Sequence, residues 1–264
     1  MPSVSNIAIG ALVAGAAASK ARHGMNESIA RLSTGMRSVY GGDAAGQSVA
    51  NTLEARSKSW AVAARNAEDG ISAAQVAESA LLEIASIAQR IRELGIQADN
   101  TALMSTTNDM AALNAESTLL FDQIDAIVAG ATFNGVSLLA AGGKTHSIGV
   151  TDAGGTVTLT SSTTLTAVAT HTSAAGADAT ADVTLKEVAI SLGNVAAGIS
   201  SLKARQAVAY SASANLAAAA SRIEDTDFAK ETANLTKNSV LNQSAMAMVA
   251  QANQAQSAIL AVLQ

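Results

Sequence analysis

Three histidines, His23, His146 and His171, are the first residues to weigh for metal or acid–base chemistry, and their neighbours supply neither. Zinc-binding imidazoles come in sets such as H-E-x-x-H, and no such pair occurs here; Cys is absent altogether. Gly10-Ala11-Leu12-Val13-Ala14-Gly15 has the glycine spacing of a phosphate-cradling loop. However, Ala16 and Ala17 stand where that loop needs Lys and Ser or Thr, so close helix packing explains both glycines better. Gly46-Gln47-Ser48-Val49-Ala50 comes nearest to a G-x-S-x-G nucleophile turn and lacks its final glycine. Arg90, Arg92 and Glu93 form a charge cluster. On a helix such a face is ordinarily solvated and held by local ion pairs worth a few tenths of a kcal/mol each; a salt bridge to another subunit is the alternative. No constellation of an enzyme emerges, and no cofactor or metal site is expected.

What the spacing does carry is helix pairing. From the N-terminus, Val4, Ile7, Ala11, Ala14, Ala18, Ala21, Met25 and then Leu32 follow alternating steps of three and four, interrupted by Ser28. At the other end Leu241, Ala245, Met248, Ala252, Ala255, Ile259 and Val262 do the same without a break. Such steps are the signature of a helix packed along a partner helix. The two ends therefore meet each other, or both meet neighbouring chains, and either outcome points to assembly.

Composition agrees. Apolar residues make up 49% of the chain but aromatics only 2%. Aromatic side chains normally supply much of a globular core's burial, whereas Ala buries little area at roughly 0.8 kcal/mol per missing CH2. Long, shallow helix contacts in many copies suit such a chain. The single proline is Pro2, so nothing breaks long helices from within. A net charge of -5 with no basic block argues against a nucleic-acid partner. The run Ile7 to Ala18 has the length of a signal-peptide core, but Met1 to Asn6 contain no Lys or Arg, so a cleaved signal is not expected. At about a dozen residues it is also too short to span a bilayer, and no membrane insertion is expected.

One long helical pattern runs from Ala44 to about Ala98, marked by Val49, Leu53, Trp60, Ala64, Ala67, Ile71 and Ala74, then Leu81, Ile84, Ala88 and Ile91. Its length is roughly 80 Å at 1.5 Å per residue. After Asp99-Asn100-Thr101, the residues Ser105-Thr106-Thr107-Asn108 offer caps for a second helix carrying Leu113, Ser117, Leu120, Ile124 and Ile127. A third begins near Ala181, with Leu185, Val188, Leu192, Val195, Ile199 and Leu202 on one seam. Between them Thr145–Val150 and Thr156–Thr160 alternate around Asp152-Ala153-Gly154-Gly155, which reads as a β-hairpin. Residues 161–180, rich in Ser, Thr, Ala and Gly, are expected to be exposed and loosely ordered. Tyr40-Gly41-Gly42-Asp43 and Asp225-Thr226-Asp227 set off the two ends. The expected fold is mainly α: a long rod of three bundled helices plus one β-hairpin, with the N- and C-terminal helices pairing as a coiled coil.

At these breaks the sequence resembles a known family. RLSTGMRSVYGGDAAGQSVAN at 31–51, RNAEDGISAAQVAESAL at 65–81, QRIRELGIQA at 89–98 and FNG at 133–135 are similar to the N-terminal part of bacterial flagellin. SRIEDTDFAKE at 221–231 and VAQANQ at 249–254 are similar to its C-terminal part. One departure is Gly42-Asp43, where the family usually has an acidic pair before its Ala-Ala-Gly.

The resemblance implies a structural subunit of the flagellar filament: extracellular, exported, and polymerising with its own copies for motility. It implies inner-domain halves at 1–44 and 225–264, a helical rod domain at 45–140 and 181–224, and a hairpin with a short insert at 141–180. So short an insert implies a minimal form without outer domains. Partners implied in the same way are the export apparatus with an export chaperone, and the cap and hook-junction proteins. Flagellins of many animal-associated bacteria also present an epitope to a vertebrate innate immune receptor; Gln89, Arg90 and Leu94 match its principal positions. The family's acidic residue on the next helix falls at Asn114, with Glu116 nearby. Arg92 and Glu93 join these as candidates for inter-subunit contact. A hook–filament junction protein and a non-flagellar helical scaffold are the alternative readings. The chain ends are expected to order on assembly, because Ala seams offset little of the roughly 1–2 kcal/mol per residue that ordering costs.

Overall fold

A computed structural model describes residues 2–39, 41–105, 107–165 and 173–262, with side chains undescribed at 2–8, 164, 259, 260 and 262. Five helices and four strands follow in the order α1 (Pro2–Thr34), α2 (Ala44–Ala98), α3 (Asp109–Gly130), β1 (Thr132–Phe133), β2 (Val136–Ser137), β3 (Gly142–Gly149), β4 (Thr156–Thr164), α4 (Ala177–Glu224) and α5 (Phe228–Val262). The absence of internal proline allows α2 and α4 to run unbroken for 55 and 48 residues. By length and composition alone α2 is apolar enough to cross a membrane. Its apolar residues Ala74, Leu81, Ile84 and Ile91 instead lie in a protein core. The chain forms two compact units, Met1–Ala55 with Leu216–Gln264, and Arg56–Asn215.

In the first unit α1 ends at Gly35, whose φ of 72° is the left-handed conformation that favours glycine. Its N–H donates to Arg31 O at 2.8 Å. The two breaks then bind each other. Met36 and Asp225 form an antiparallel bridge, Arg37 N donates to Glu224 O at 2.7 Å, and Thr226 N donates to Gly35 O at 2.9 Å. Asp43 starts α2 by accepting from Gly46 N at 2.8 Å, and its other oxygen takes Arg37 Nη2 at 2.6 Å. These two contacts, the Gly46 N–H foremost, hold its carboxyl below the ordinary carboxylate range. Asp227 caps α5 by accepting from Ala229 N at 3.0 Å and Lys230 N at 3.2 Å.

In the second unit the core is made of branched side chains. Leu81, Ile84 and Ile91 of α2 meet Phe121 and Ile124 of α3 and Val188 and Val195 of α4, with Leu159 from β4, Leu138 and Leu139 just after β2 and Leu165 just after β4. The β3–β4 hairpin is antiparallel, with His146 opposite Leu159 and Ile148 opposite Val157. Two glycines let it sit close to the helices. A Cβ at Gly70 would lie 2.4 Å from Ile148 Cδ1, and one at Gly198 would lie 2.5 Å from Leu159 Cδ1.

The structure departs from the sequence expectations in four places. A tight β1–β2 hairpin, Thr132 opposite Ser137 around Asn134-Gly135, was not anticipated. Residues 161–180 are not loose where described: β4 runs to Thr164, α4 starts at Ala177, and Ser161, Ser162, Leu165 and Ala174 are buried. The Ser and Thr hydroxyls find partners inside, Ser161 Oγ on Leu138 O and Thr163 Oγ1 beside Ser191 Oγ at 2.9 Å. Residues 166–172, with His171, lie outside the described residues. Asn108 makes no side-chain cap on α3; instead Asp109 accepts from Ser105 N at 2.9 Å. Val49 is exposed rather than facing a core.

Candidate assembly interface

The terminal helices α1 and α5 pack against each other in antiparallel sense. Arg31 meets Glu231 near the breaks, and Arg22 Nη2 lies 3.7 Å from Met246 Sδ further along. As numbers fall along α1 they rise along α5. On α1 the buried residues are Ala14, Ala18, Ala21 and Ser28, one or two turns apart, with Ala11, Met25 and Leu32 half-buried. Small side chains at this spacing let the helix axes approach closely, which is the local reason an Ala-rich sequence pairs at all.

On α5 the face turned inward mixes polar and apolar residues. Glu231 and Ala245 are buried, and Asn234, Leu235, Asn238, Asn242, Val249 and Ala252 are half-buried at steps of three and four. Of the predicted C-terminal seam, Ala245 and Ala252 lie on this face. Leu241 is 49% exposed, Met248 65% exposed, and Ala255 is exposed. The side chains of Val4, Ile7, Ile259 and Val262 lie outside the described residues. Apolar periodicity points to Ala245 and Ala252 on this face but misses Glu231, Asn234, Asn238 and Asn242, the polar residues that share it.

Four of the exposed apolar residues share one groove. Ile9, Val13, Leu241 and Met248 line an open cleft of about 790 Å³ between the two helices, with Lys20 and Lys237 at its sides. Exposed Leu12 and Met246 add to the apolar surface of the same helices. Contiguous apolar surface of this kind marks an interaction site. No group of three His, Cys, Asp or Glu side chains converges as a metal site among the described residues.

The charge cluster of the second unit is engaged within the chain. Arg90 Nη2 lies 2.8 Å from Glu116 Oε1 and its Nη1 3.0 Å from Glu93 Oε2, while Arg92 Nε lies 2.7 Å from Asp182 Oδ1. The Glu116 hydrogen bond is the chief reason the Arg90 guanidinium is held above its ordinary pKa, with Glu93 adding to it. Gln89 is exposed, but Leu94 is 1% exposed, packed with Ala98, Leu113 and Ala174. Leu94 is thereby a core residue here and presents no side chain to a partner. Asn114 is also occupied internally, its Oδ1 accepting from Ala174 N at 2.7 Å.

Long helices, an antiparallel pair of terminal helices and an open, partly apolar cleft between them make up the candidate interface. Residues 6–144 match the bacterial flagellin N-terminal helical region, and residues 178–263 match the bacterial flagellin C-terminal helical region. The chain is 37% identical over 246 residues to the flagellin of Halalkalibacterium halodurans, covering 88% of this chain and 89% of that one. It is 32% identical over 275 residues to the flagellin of Bacillus subtilis, covering 88% and 90%. It is 31% identical over 272 residues to the flagellar filament 33 kDa core protein of Treponema phagedenis, covering 90% and 92%. A crystal structure of Bacillus cereus flagellin overlaps 58% of this chain and 88% of that one, at 26% identity and a TM-score of 0.41. The chain belongs to the bacterial flagellin family. It is a structural subunit of the flagellar filament, an extracellular polymer of its own copies.

Proposed function

We propose that the α1–α5 pair is the inner assembly domain and that its exposed apolar stripe is where copies meet. The observation that carries this reading is the cleft between the helices. Leu241 and Met248 are predicted seam residues, yet they stand exposed beside the pair rather than inside it. Head-to-tail repetition of such a contact continues as a helical filament when the rotation does not close. The remaining seam residues, Val4, Ile7, Ile259 and Val262, join this reading by their spacing in the sequence alone.

The order of the ends comes with assembly. Residues buried in the first unit are mainly Ala, which gains little against backbone entropy. Such ends stay unpaired in the monomer, and remain free for the export apparatus and an export chaperone before incorporation. Cap and hook-junction proteins are further partners on this reading. With Arg90 tied to Glu116 and Leu94 buried, the immune-receptor reading rests on exposed Gln89 and the outer face of Arg90. The inner-domain halves are 1–44 and 225–264, the helical domain 45–140 and 181–224, and the hairpin with its insert 141–180.

A truncation ending at Glu224 tests the assembly reading. It removes α5 and is expected to retain a folded, helical second unit by circular dichroism while forming no filaments in seeded growth. Normal filaments from that fragment would contradict it.

A further inference from the structure

The α1–α5 seam has a register problem that its apolar residues do not solve. Ala11, Ala14, Ala18 and Ala21 look alike from turn to turn, so a pair slipped by one turn would bury nearly the same methyl groups. Polar residues on the buried face break that degeneracy. Glu231 is 6% exposed, with Arg31 Nη1 3.5 Å from its Oε1. Along the pair, Asn238 fills the space left by the missing side chain of Gly24, where a Cβ would lie 2.7 Å from Asn238 Nδ2. A slip of one turn would bring Asn238 towards Lys20 or Ser28, which have side chains where Gly24 has none, and would part Glu231 from Arg31.

These groups are poorly chosen for adhesion. Arg31 Nε, Glu231 Oε1 and Asn242 Oδ1 are buried without a hydrogen-bond partner, and such groups carry a desolvation cost. Glu231 is buried and Arg31 half-buried; an ion pair at such a site adds little stability over apolar residues of similar volume, yet removing Arg31 strands the buried Glu231 charge. Its best-attested use is to fix register and partner, as a single buried polar residue does in a coiled coil.

We infer that Arg31–Glu231 and Gly24–Asn238 are the specificity-determining contacts of assembly: they select α5 as the partner of α1 and fix the register of the pair. Attraction between copies comes from the separate apolar stripe. This rests on the reading of α1–α5 as the assembly domain.

The chain has no Cys, so engineered thiols report register cleanly. Arg22→Cys with Met246→Cys marks the observed register, since those side chains touch, and Arg22→Cys with Ala250→Cys marks a slip of one turn. Both are treated with a short bis-thiol reagent in monomer and in seeded filaments. Glu231→Arg is expected to abolish the in-register cross-link and raise the critical concentration for growth by at least about tenfold. Arg31→Glu combined with Glu231→Arg is expected to restore both. Replacing both residues by Leu is expected to keep the helices paired while both reporters cross-link to similar extents. A single reversal without effect, a charge exchange that fails to rescue, or a Leu pair that stays in register would each overturn the inference. So would native filaments in which neither reporter cross-links; in the native monomer, whose ends are unpaired, neither is expected to. In-register cross-links in a native chain that forms no filaments would instead defeat the assembly reading, with the cross-links still deciding the register.

Discussion

The two units of the molecule bury different things. In residues 56–215 the fully buried large side chains include Leu81, Ile84, Ile91, Ile124, Leu159, Val188 and Leu202, held by two glycine notches and a hairpin. In the terminal unit the buried residues are Ala14, Ala18, Ala21, Ala50, Ala220 and Ala245, with Ser28, Thr226 and Glu231. Large apolar residues there, Leu12, Val13, Leu241 and Met248, are exposed. One unit has a core sufficient to hold itself. The other leaves these large apolar side chains exposed, and on the proposed reading further copies cover them. The contrast teaches that a filament subunit can divide folding and assembly between separate stretches of one chain.

That division can be broken from either side. The largest effect is expected for Leu81→Ala, which leaves a cavity in the second unit and should cost about 2–5 kcal/mol in its unfolding free energy by denaturant titration. Next, Leu241→Asp with Met248→Asp should abolish seeded growth while leaving the melting of the second unit unchanged. A parallel loss of that unit's stability would erase the contrast. Smaller still, Asp227→Ala removes the two cap bonds of α5 and should weaken the terminal pair by about 1 kcal/mol, read as slower filament growth. The smallest effect is one of pH. The Asp43 carboxyl is lowered by the Gly46 N–H and then by Arg37, so its contribution is present above the ordinary carboxylate range. It is lost as pH falls through the depressed folded value. Asp43→Asn should therefore flatten the acid limb of filament stability, and an unchanged limb would assign it to other carboxylates.

The sequence was most legible where apolar residues alone decide the structure. The bounds of α2, Ala44–Ala98, follow from an unbroken apolar pattern between Gly42-Asp43 and Asp99-Asn100. The seam of α4 likewise shows in Val188, Val195 and Leu202, all buried. It was least legible where polar groups go inside. Ser161 and Thr163 fall in the stretch expected to be exposed, yet their hydroxyls meet backbone and the Ser191 hydroxyl of α4. Glu231, Asn238 and Asn242 hid the inner face of α5 for the same reason, since their partners Arg31 and Gly24 lie some two hundred residues earlier in the chain. The β1–β2 hairpin is only two residues per strand, too short for any period, although Asn134-Gly135 is the turn pair that favours it.

Hydrogen exchange of the full chain, compared between monomer and filament, tests the central claim most directly. The account predicts that backbone amides of 11–34 and 228–258 exchange quickly in the monomer and gain strong protection in the filament. Those around Leu81, Ile124 and Val195 should be protected in both. Equal protection of the terminal helices in monomer and filament would contradict it.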